Sequence, residues 1–188
     1  GWLARFELPD QLRSSAPGAV AALRSDGQRL AVLSGDPSAQ AALLLAPLAI
    51  ADSQFGLRPD QKLTDLRGAQ QSGEVVAMVG DGINDVPVLR CADVSIAMGR
   101  AADVTQLAAD ALLLNEDLGA LPRALRLARR TRAVIGQNIG WALGYNLLAL
   151  PLAAAGMVPP WAAAIGMSSS SLIVLLNALR LKNRNLDG

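Results

Sequence analysis

From Ala133 to Leu179 the chain carries no Asp, Glu, Lys or Arg, a run of 47 residues. Charged side chains populate the surfaces of soluble folds, so a stretch without them over this length is rare in water. In hydrocarbon it is required, and there each backbone N–H and C=O must find its partner within the segment, which favours helices. Ala133–Gly156 exceeds the roughly 20 residues that cross a bilayer. Pro159-Pro160 then make a tight turn, Trp161 suits the interface, and Ala162–Leu179 leads back. Arg123, Arg126, Arg129, Arg130 and Arg132 precede the run, and Arg180, Lys182 and Arg184 follow it. The arginine segment alone reads as a solvated helix face, or even as a nucleic-acid patch. Its place against the uncharged run favours the positive cytoplasmic flank of a span. The expectation is a region 123–188 holding two transmembrane helices, about 133–156 and 161–179, with both ends cytoplasmic.

Charge separates this region from what comes before it. Residues 1–122 hold nine basic and fifteen acidic side chains, a net −6, whereas eight basic and one acidic follow, a net +7. The formal total of +1 hides two regions in different surroundings. One cysteine, Cys91, and no histidine exclude an intrachain disulfide framework and a Cys/His zinc site. Aromatic residues make up 3% of the chain, too few for a base-stacking platform, so no nucleic-acid partner is expected. The start, Gly1 to Glu7, lacks the pattern of a signal peptide and also an initiator Met, a first hint of a fragment.

Residues 1–122 alternate apolar, β-branched runs with Ala/Leu-rich segments, which predicts a parallel, doubly wound α/β sheet. Phe6–Leu12 reads as extended. Ser14-Ser15-Ala16-Pro17 reads as a capped helix start, with Gly27 near that helix's end. Strands are expected at 29–33, 75–79, 94–98 and 111–114. Helices are expected at 38–46, from Pro59 to about Gln71, at 88–92 and at 103–109. The central strand stops at Gly80-Asp81-Gly82-Ile83-Asn84-Asp85-Val86-Pro87. Parallel sheets bind ligands beyond the carboxyl ends of their strands. Asp81, Asn84 and Asp85 there offer hard oxygen ligands of the kind that suit Mg²⁺ held with a phosphate. The plain alternative is that these side chains only cap the next helix. Ser34-Gly35-Asp36 follows the first strand, where a hydroxyl and backbone amides could hold phosphate oxygens. Lys62 stands near a helix start, where an ammonium can neutralise a phosphoryl group.

The run Gly-Asp-Gly-Ile-Asn-Asp-Val-Pro resembles the signature of P-type ATPases, members of the haloacid-dehalogenase-like superfamily. The resemblance implies a Rossmann-like phosphorylation domain, present here in part over residues 1–122, and Mg²⁺ and ATP as cofactors. It assigns Ser34 and Lys62 to phosphate contact and Asp81 and Asp85 to the Mg²⁺ site, with Gly35, Asp36 and Asn84 beside them. The family's nucleophile lies in an Asp-Lys-Thr-Gly-Thr motif that does not occur in this sequence. Covalent phosphoryl transfer needs that carboxylate. The chain is therefore expected to be the C-terminal part of a longer pump, inactive alone and partnered with the missing N-terminal part.

Within the uncharged region Gly136, Gly140 and Gly144 recur every four residues, a stripe that permits close helix packing. Tyr145 and Asn146 are polar groups at mid-span. Met167, Ser170 and Ser171 share one helix face, a pattern that interhelical hydrogen bonding alone would explain. Tyr-Asn followed by Met-x-x-Ser-Ser resembles the ion-site motifs of copper-transporting heavy-metal P-type ATPases. Gly166-Met167-Ser168 after Pro160-Trp161 is similar to the subgroup associated with haem-copper oxidase assembly. The resemblance implies that Tyr145, Asn146, Met167, Ser170 and Ser171 belong to a site for transported copper, and a thioether suits Cu(I). It also implies a multi-pass protein of the bacterial plasma membrane, its α/β domain cytoplasmic, with a copper chaperone or acceptor as a partner. The family's Cys-Pro-Cys motif is absent, and Cys91 reads as a small core residue. Three rivals remain: a Zn/Cd-type pump, a non-catalytic half-pump partner, and a membrane-tethered phosphatase of the same superfamily.

Overall fold

A computed structural model describes residues 11–80, 85–99, 109–115 and 117–183. The chain divides into two compact units, Gly1–Pro122 and Arg123–Gly188.

In the first unit, α1 (Ala16–Ser25) carries Pro17 in its opening turn. Ser15 stands at the N-cap position, yet its hydroxyl does not cap the helix and instead accepts the Leu118 N–H at 3.1 Å. The expected cap is thus a long-range tie. α1 ends at Gly27 and α3 (Pro59–Gln71) at Gly73, with φ of +76° and +86°. Gln28 N–H reaches back to Leu23 O at 3.0 Å, and Glu74 N–H to Ala69 O at 3.2 Å. This helix stop needs a left-handed residue, which glycine supplies without a Cβ penalty.

β1 (Ala31–Leu33) is followed by α2 (Ala39–Leu45), a 3₁₀ turn at Ala46–Leu48, and β2 (Asp52–Gln54). Ser38 caps α2, its hydroxyl accepting the Ala41 N–H at 3.2 Å. The two strands run parallel, with Ala31 opposite Asp52 and Leu33 opposite Gln54. β2 is absent from the sequence reading because Asp-Ser-Gln has poor strand propensity. β3 (Ala77–Gly80), α4 (Val86–Cys91), β4 (Val94–Met98) and β5 (Ala111–Leu113) complete the unit, with parallel strands in the order β3-β4-β5. Among the described residues the strands therefore form two parallel ladders rather than one sheet. The extended segment expected at Phe6–Leu12 lies outside the described residues as far as Asp10, and so does the helix expected from Asp103, through residue 108.

α4 packs against α3, β3 and β4. Val88 and Leu89 on α4 are fully buried, and Leu66 on α3 is 3% exposed. Each such side chain contributes about 1.5–3 kcal/mol. This core lies next to Gly80 at the end of β3 and Asp85 at the start of α4, since Leu89 and Asp85 both approach Gly80. Two carboxylates tie its edges. Asp93 accepts the Val76 N–H at 2.8 Å and the Gln70 Nε2–H at 3.1 Å. Asp110 accepts the Ser95 hydroxyl at 2.7 Å and the Ser95 N–H at 2.9 Å, joining β4 to the start of β5.

The second unit contains most of α5 (Ala120–Ala154) and all of α6 (Pro160–Asn183). α5 continues through Pro151 and stops at Gly156, with φ of +73°. Among the described residues one helix is long and apolar enough to cross a membrane, α6 over Pro160–Leu181, with mean hydropathy 1.7. The charge-free part of α5 falls short of that criterion because Gln137, Asn138, Tyr145 and Asn146 dilute its apolar residues. The glycine stripe does not mediate packing of the two helices. A Cβ built on Gly136, Gly140 or Gly144 meets nothing within 4 Å.

Hydrogen bonds from Val76 and Gln70 hold the Asp93 carboxyl below the ordinary carboxylate range, and those from Ser95 do the same for Asp110. A depressed folded-state pKa adds stability that is complete above the unfolded value, near 3.9, and is lost as pH falls through the folded value. Amide exchange should show protection of the Val76 and Ser95 N–H groups at pH 6 that falls as the pH drops below the ordinary carboxylate value, near 3.9. In Asp110→Asn, which cannot titrate, the acid-induced loss at Ser95 should disappear.

Candidate functional site

The site is assembled where strands end. Beyond β1, Ser34 prolongs the ladder by one residue: its N–H donates to Gln54 O and its O accepts the Leu57 N–H, both at 2.9 Å. Its hydroxyl then accepts the Asp36 N–H at 3.1 Å, and Asp36 Oδ1 accepts the Ser38 N–H at 2.8 Å. Gly56 N–H closes the turn on Asp36 O at 3.1 Å. Ser34-Gly35-Asp36 is thus a fixed loop at a strand's carboxyl end, with Gly35 and Asp36 exposed and Ser34 half-buried. The Ser34 hydroxyl accepts one bond within the loop, and its own proton stays available as a donor.

Beyond β3, Asp85 opens α4. It occupies the N-cap position, but its side chain makes no capping bond. Its Oδ1 instead accepts a hydrogen bond from Lys62 Nζ at 2.7 Å. The capping alternative fails for this residue. The Lys62 and Asp85 side chains are 10% and 16% exposed, whereas Arg29, paired with Asp52 and Glu74, is 66% exposed. α3 delivers the lysine from its first turns, where Gln61 Oε1 accepts the Arg58 N–H at 2.9 Å and fixes the helix start. A Cβ built on Gly80 would lie 3.6 Å from Asp85 Oδ2, so the carboxylate rests against the end of β3.

Asp85 Oδ2 makes no hydrogen bond among those described, so one hard oxygen stays available beside the ion pair. This donor fits a small divalent cation, which prefers carboxylate oxygen. Asp81 and Asn84 lie outside the described residues. Among the described residues no three His, Cys, Asp or Glu side chains gather as a metal cluster. The described hydrogen bonds link Lys62 to Asp85, and none joins this pair to the Ser34 loop.

In the second unit the Tyr145 hydroxyl lies against Gly166, since a Cβ there would come within 2.5 Å of it. One turn away along each helix, Trp141 Nε1 donates to Ser170 Oγ at 3.0 Å. Met167 is 66% exposed, and Asn146 and Ser171 are exposed as well. The hairpin therefore brings Tyr145 to the residue before Met167 and engages Ser170, but it does not enclose the other three side chains. The sequence points to Gly166 only as part of a motif, not as the notch for Tyr145, and it gives no role to Trp141. An indole N–H in an apolar setting needs an acceptor, and that need was the available signal for Trp141.

Comparison with known proteins gives the same outline. Two haloacid dehalogenase-like hydrolase profiles match residues 2–93 and 67–125. The chain is 44% identical over 180 residues to a cation-transporting P-type ATPase B of Mycobacterium bovis, covering 96% of this chain and 24% of that protein. It is 43% identical over 174 residues to a copper-exporting P-type ATPase of Mycobacterium leprae, covering 93% of this chain and 22% of that one. The structure superposes on a zinc-transporting PIB-type ATPase in its E2·Pi state with a TM-score of 0.83 and 37% identity, covering 92% of this chain and 28% of the other. The chain thus spans about a quarter of the length of the curated relatives it matches.

Removing one partner of a buried ion pair strands the other charge, at a cost of about 3–5 kcal/mol. Lys62→Ala should therefore lower the urea unfolding free energy of the first unit by that order. Lys62→Met combined with Asp85→Leu should recover most of the loss, because no charge is left buried.

Proposed function

The chain belongs to the P-type ATPases, and on that premise we propose that it forms part of an ATP-driven pump for Cu(I) working through an aspartyl phosphate. The observation that carries the phosphotransfer half is the Lys62–Asp85 pair, 2.7 Å apart and buried at the end of β3. Lys62 offsets the charge of a phosphoryl group, because a fixed ammonium in a site shielded from water acts more strongly than one in bulk solvent. The Ser34 hydroxyl donates to a phosphate oxygen, with the Gly35 and Asp36 backbone lining the same loop. Asp81 and Asp85 would hold Mg²⁺ with Asn84 beside them, and the ion when bound supplies charge neutralisation on the phosphoryl oxygens. The nucleophilic Asp comes from the part of the protein not contained in this chain. β1 and β3 each present an edge unpaired among the described residues, and such edges are templates for a further strand.

The membrane half rests on α6 and on the charge-free run that spans both helices. In this reading α5 and α6 are two spans with cytoplasmic basic flanks, in a bacterial plasma membrane, and the first unit is cytoplasmic. Met167 is the soft ligand, and Tyr145, Asn146, Ser170 and Ser171 share its site. With no carboxylate between Ala133 and Leu179, these spans offer nothing to neutralise a divalent ion, which favours Cu(I). A zinc pump is the second reading, supported by the 0.83 TM-score to a zinc transporter.

ATP hydrolysis by the whole pump should be stimulated by Cu(I) under reducing conditions and not by Zn²⁺. Stimulation by Zn²⁺ alone would select the second reading. Met167→Leu should raise the Cu(I) concentration for half-maximal stimulation by about tenfold, the equivalent of about 1.4 kcal/mol of ligand binding. The present chain, purified alone and given labelled ATP, should incorporate no acid-stable phosphate; incorporation would show a nucleophile within it.

A further inference from the structure

A cleft of about 180 Å³ opens between α5 and α6 at the end of the hairpin where the basic residues lie. It is lined by Arg130, Gln137 and Arg180 together with Leu127, Val134 and Leu181. No carboxylate is among its lining residues. Arg180 Nη1 donates to Asn177 Oδ1 at 3.3 Å, and Asn177 Nδ2 donates to Gln137 Oε1 at 3.1 Å and to Asn138 Oδ1 at 2.9 Å. This chain of amides engages the Gln137 carbonyl oxygen, which leaves its N–H groups as donors. It also steers one guanidinium through a neutral partner, without cancelling its charge. Arg130 has no described acceptor. The cleft therefore holds two guanidinium groups and an amide donor with no anion to satisfy them. Its volume is that of about six waters.

From this we propose that the cleft seats the phosphate of an anionic phospholipid, with Arg130 and Arg180 on the phosphate and Leu127, Val134 and Leu181 against the upper acyl chains. The proposal rests on the membrane reading above. Arg180 bounds the charge-free run at one end and Arg130 stands three residues before it begins at the other, which places the donors at headgroup depth and the apolar lining beside them. A planar guanidinium matches two oxygens of a phosphate at once. Basic clefts between transmembrane helices on the cytoplasmic side are suited to lipid headgroups, and a neutral zwitterionic lipid would bring its own cation into a cleft that is already cationic.

The test uses the whole chain in detergent with an equimolar mixture of phosphatidylglycerol and phosphatidylcholine, retained lipid being read by native mass spectrometry. Phosphatidylglycerol should be retained in preference. The double variant Arg130→Gln/Arg180→Gln should reduce that retention about tenfold or more. The charge-matched control Arg123→Gln/Arg132→Gln, at positions that do not line the cleft, should change it less than twofold. Equal losses in the two double variants, or equal retention of the two lipids, would overturn the site in favour of diffuse basic attraction. Displacement of the lipid by excess inorganic phosphate alone would also overturn it, since the cleft would then be a plain anion site. The membrane reading is checked separately by alkaline carbonate washing of vesicles containing the chain. Release of the chain would sink both readings. Retention in vesicles without a phosphatidylglycerol preference would sink the lipid site only.

Discussion

The Lys62–Asp85 ion pair imposes the strictest condition on the first unit. Two opposite charges removed from water are tolerated only when they meet at short range, and each becomes a liability if the other is lost. α3 must present Lys62 from its early turns, α4 must begin at Asp85, and β3 must end at Gly80 for the pair to close at 2.7 Å. Leu66 on α3 and Val88 and Leu89 on α4 are buried on the same two helices, and the paired side chains are themselves 10% and 16% exposed. The apolar core and the charged pair are thus mutually dependent: the core desolvates the pair, and the pair satisfies the charges which that core surrounds. The ammonium is thereby held in a fixed place with its positive charge balanced.

Much of this was legible in the sequence. Helix stops at Gly27 and Gly73, the start of α3 at Pro59 and the β4 span follow from local rules of backbone geometry. The pairing of Lys62 with Asp85 joins residues 23 positions apart, and no local rule reaches that far. Ser15 shows the same limit, since a serine before a helix normally caps it and here serves Leu118 instead. β2 escaped notice because Asp52-Ser53-Gln54 is drawn into a ladder by β1 and not by its own propensity. Asp81 and Asn84 were readable as chemistry from their motif, yet lie outside the described residues.

The second unit uses a different economy. Some of its polar groups bridge the two helices in a stretch without charge, where an unsatisfied donor in an apolar setting is costly. Trp141 finds Ser170, and Asn177 finds Gln137 and Asn138. The small-residue spacing that looked like a contact stripe, Gly136 to Gly144, faces open space, and the glycine that matters for helix contact is Gly166 under Tyr145. Spacing alone identifies faces on which helices could approach. Which face is used depends on where a bulky partner needs a notch.

Three links at successive heights, Asn138 to Asn177, Trp141 to Ser170 and Tyr145 to Gly166, pin α5 to α6 like rungs on a ladder. Two rods pinned at three levels cannot slide past one another by a fraction of a turn, because all three rungs would have to break together. Any shift of one helix along the other must therefore carry both together or exchange every rung in a full-turn step. The two helices are thereby coupled along their length.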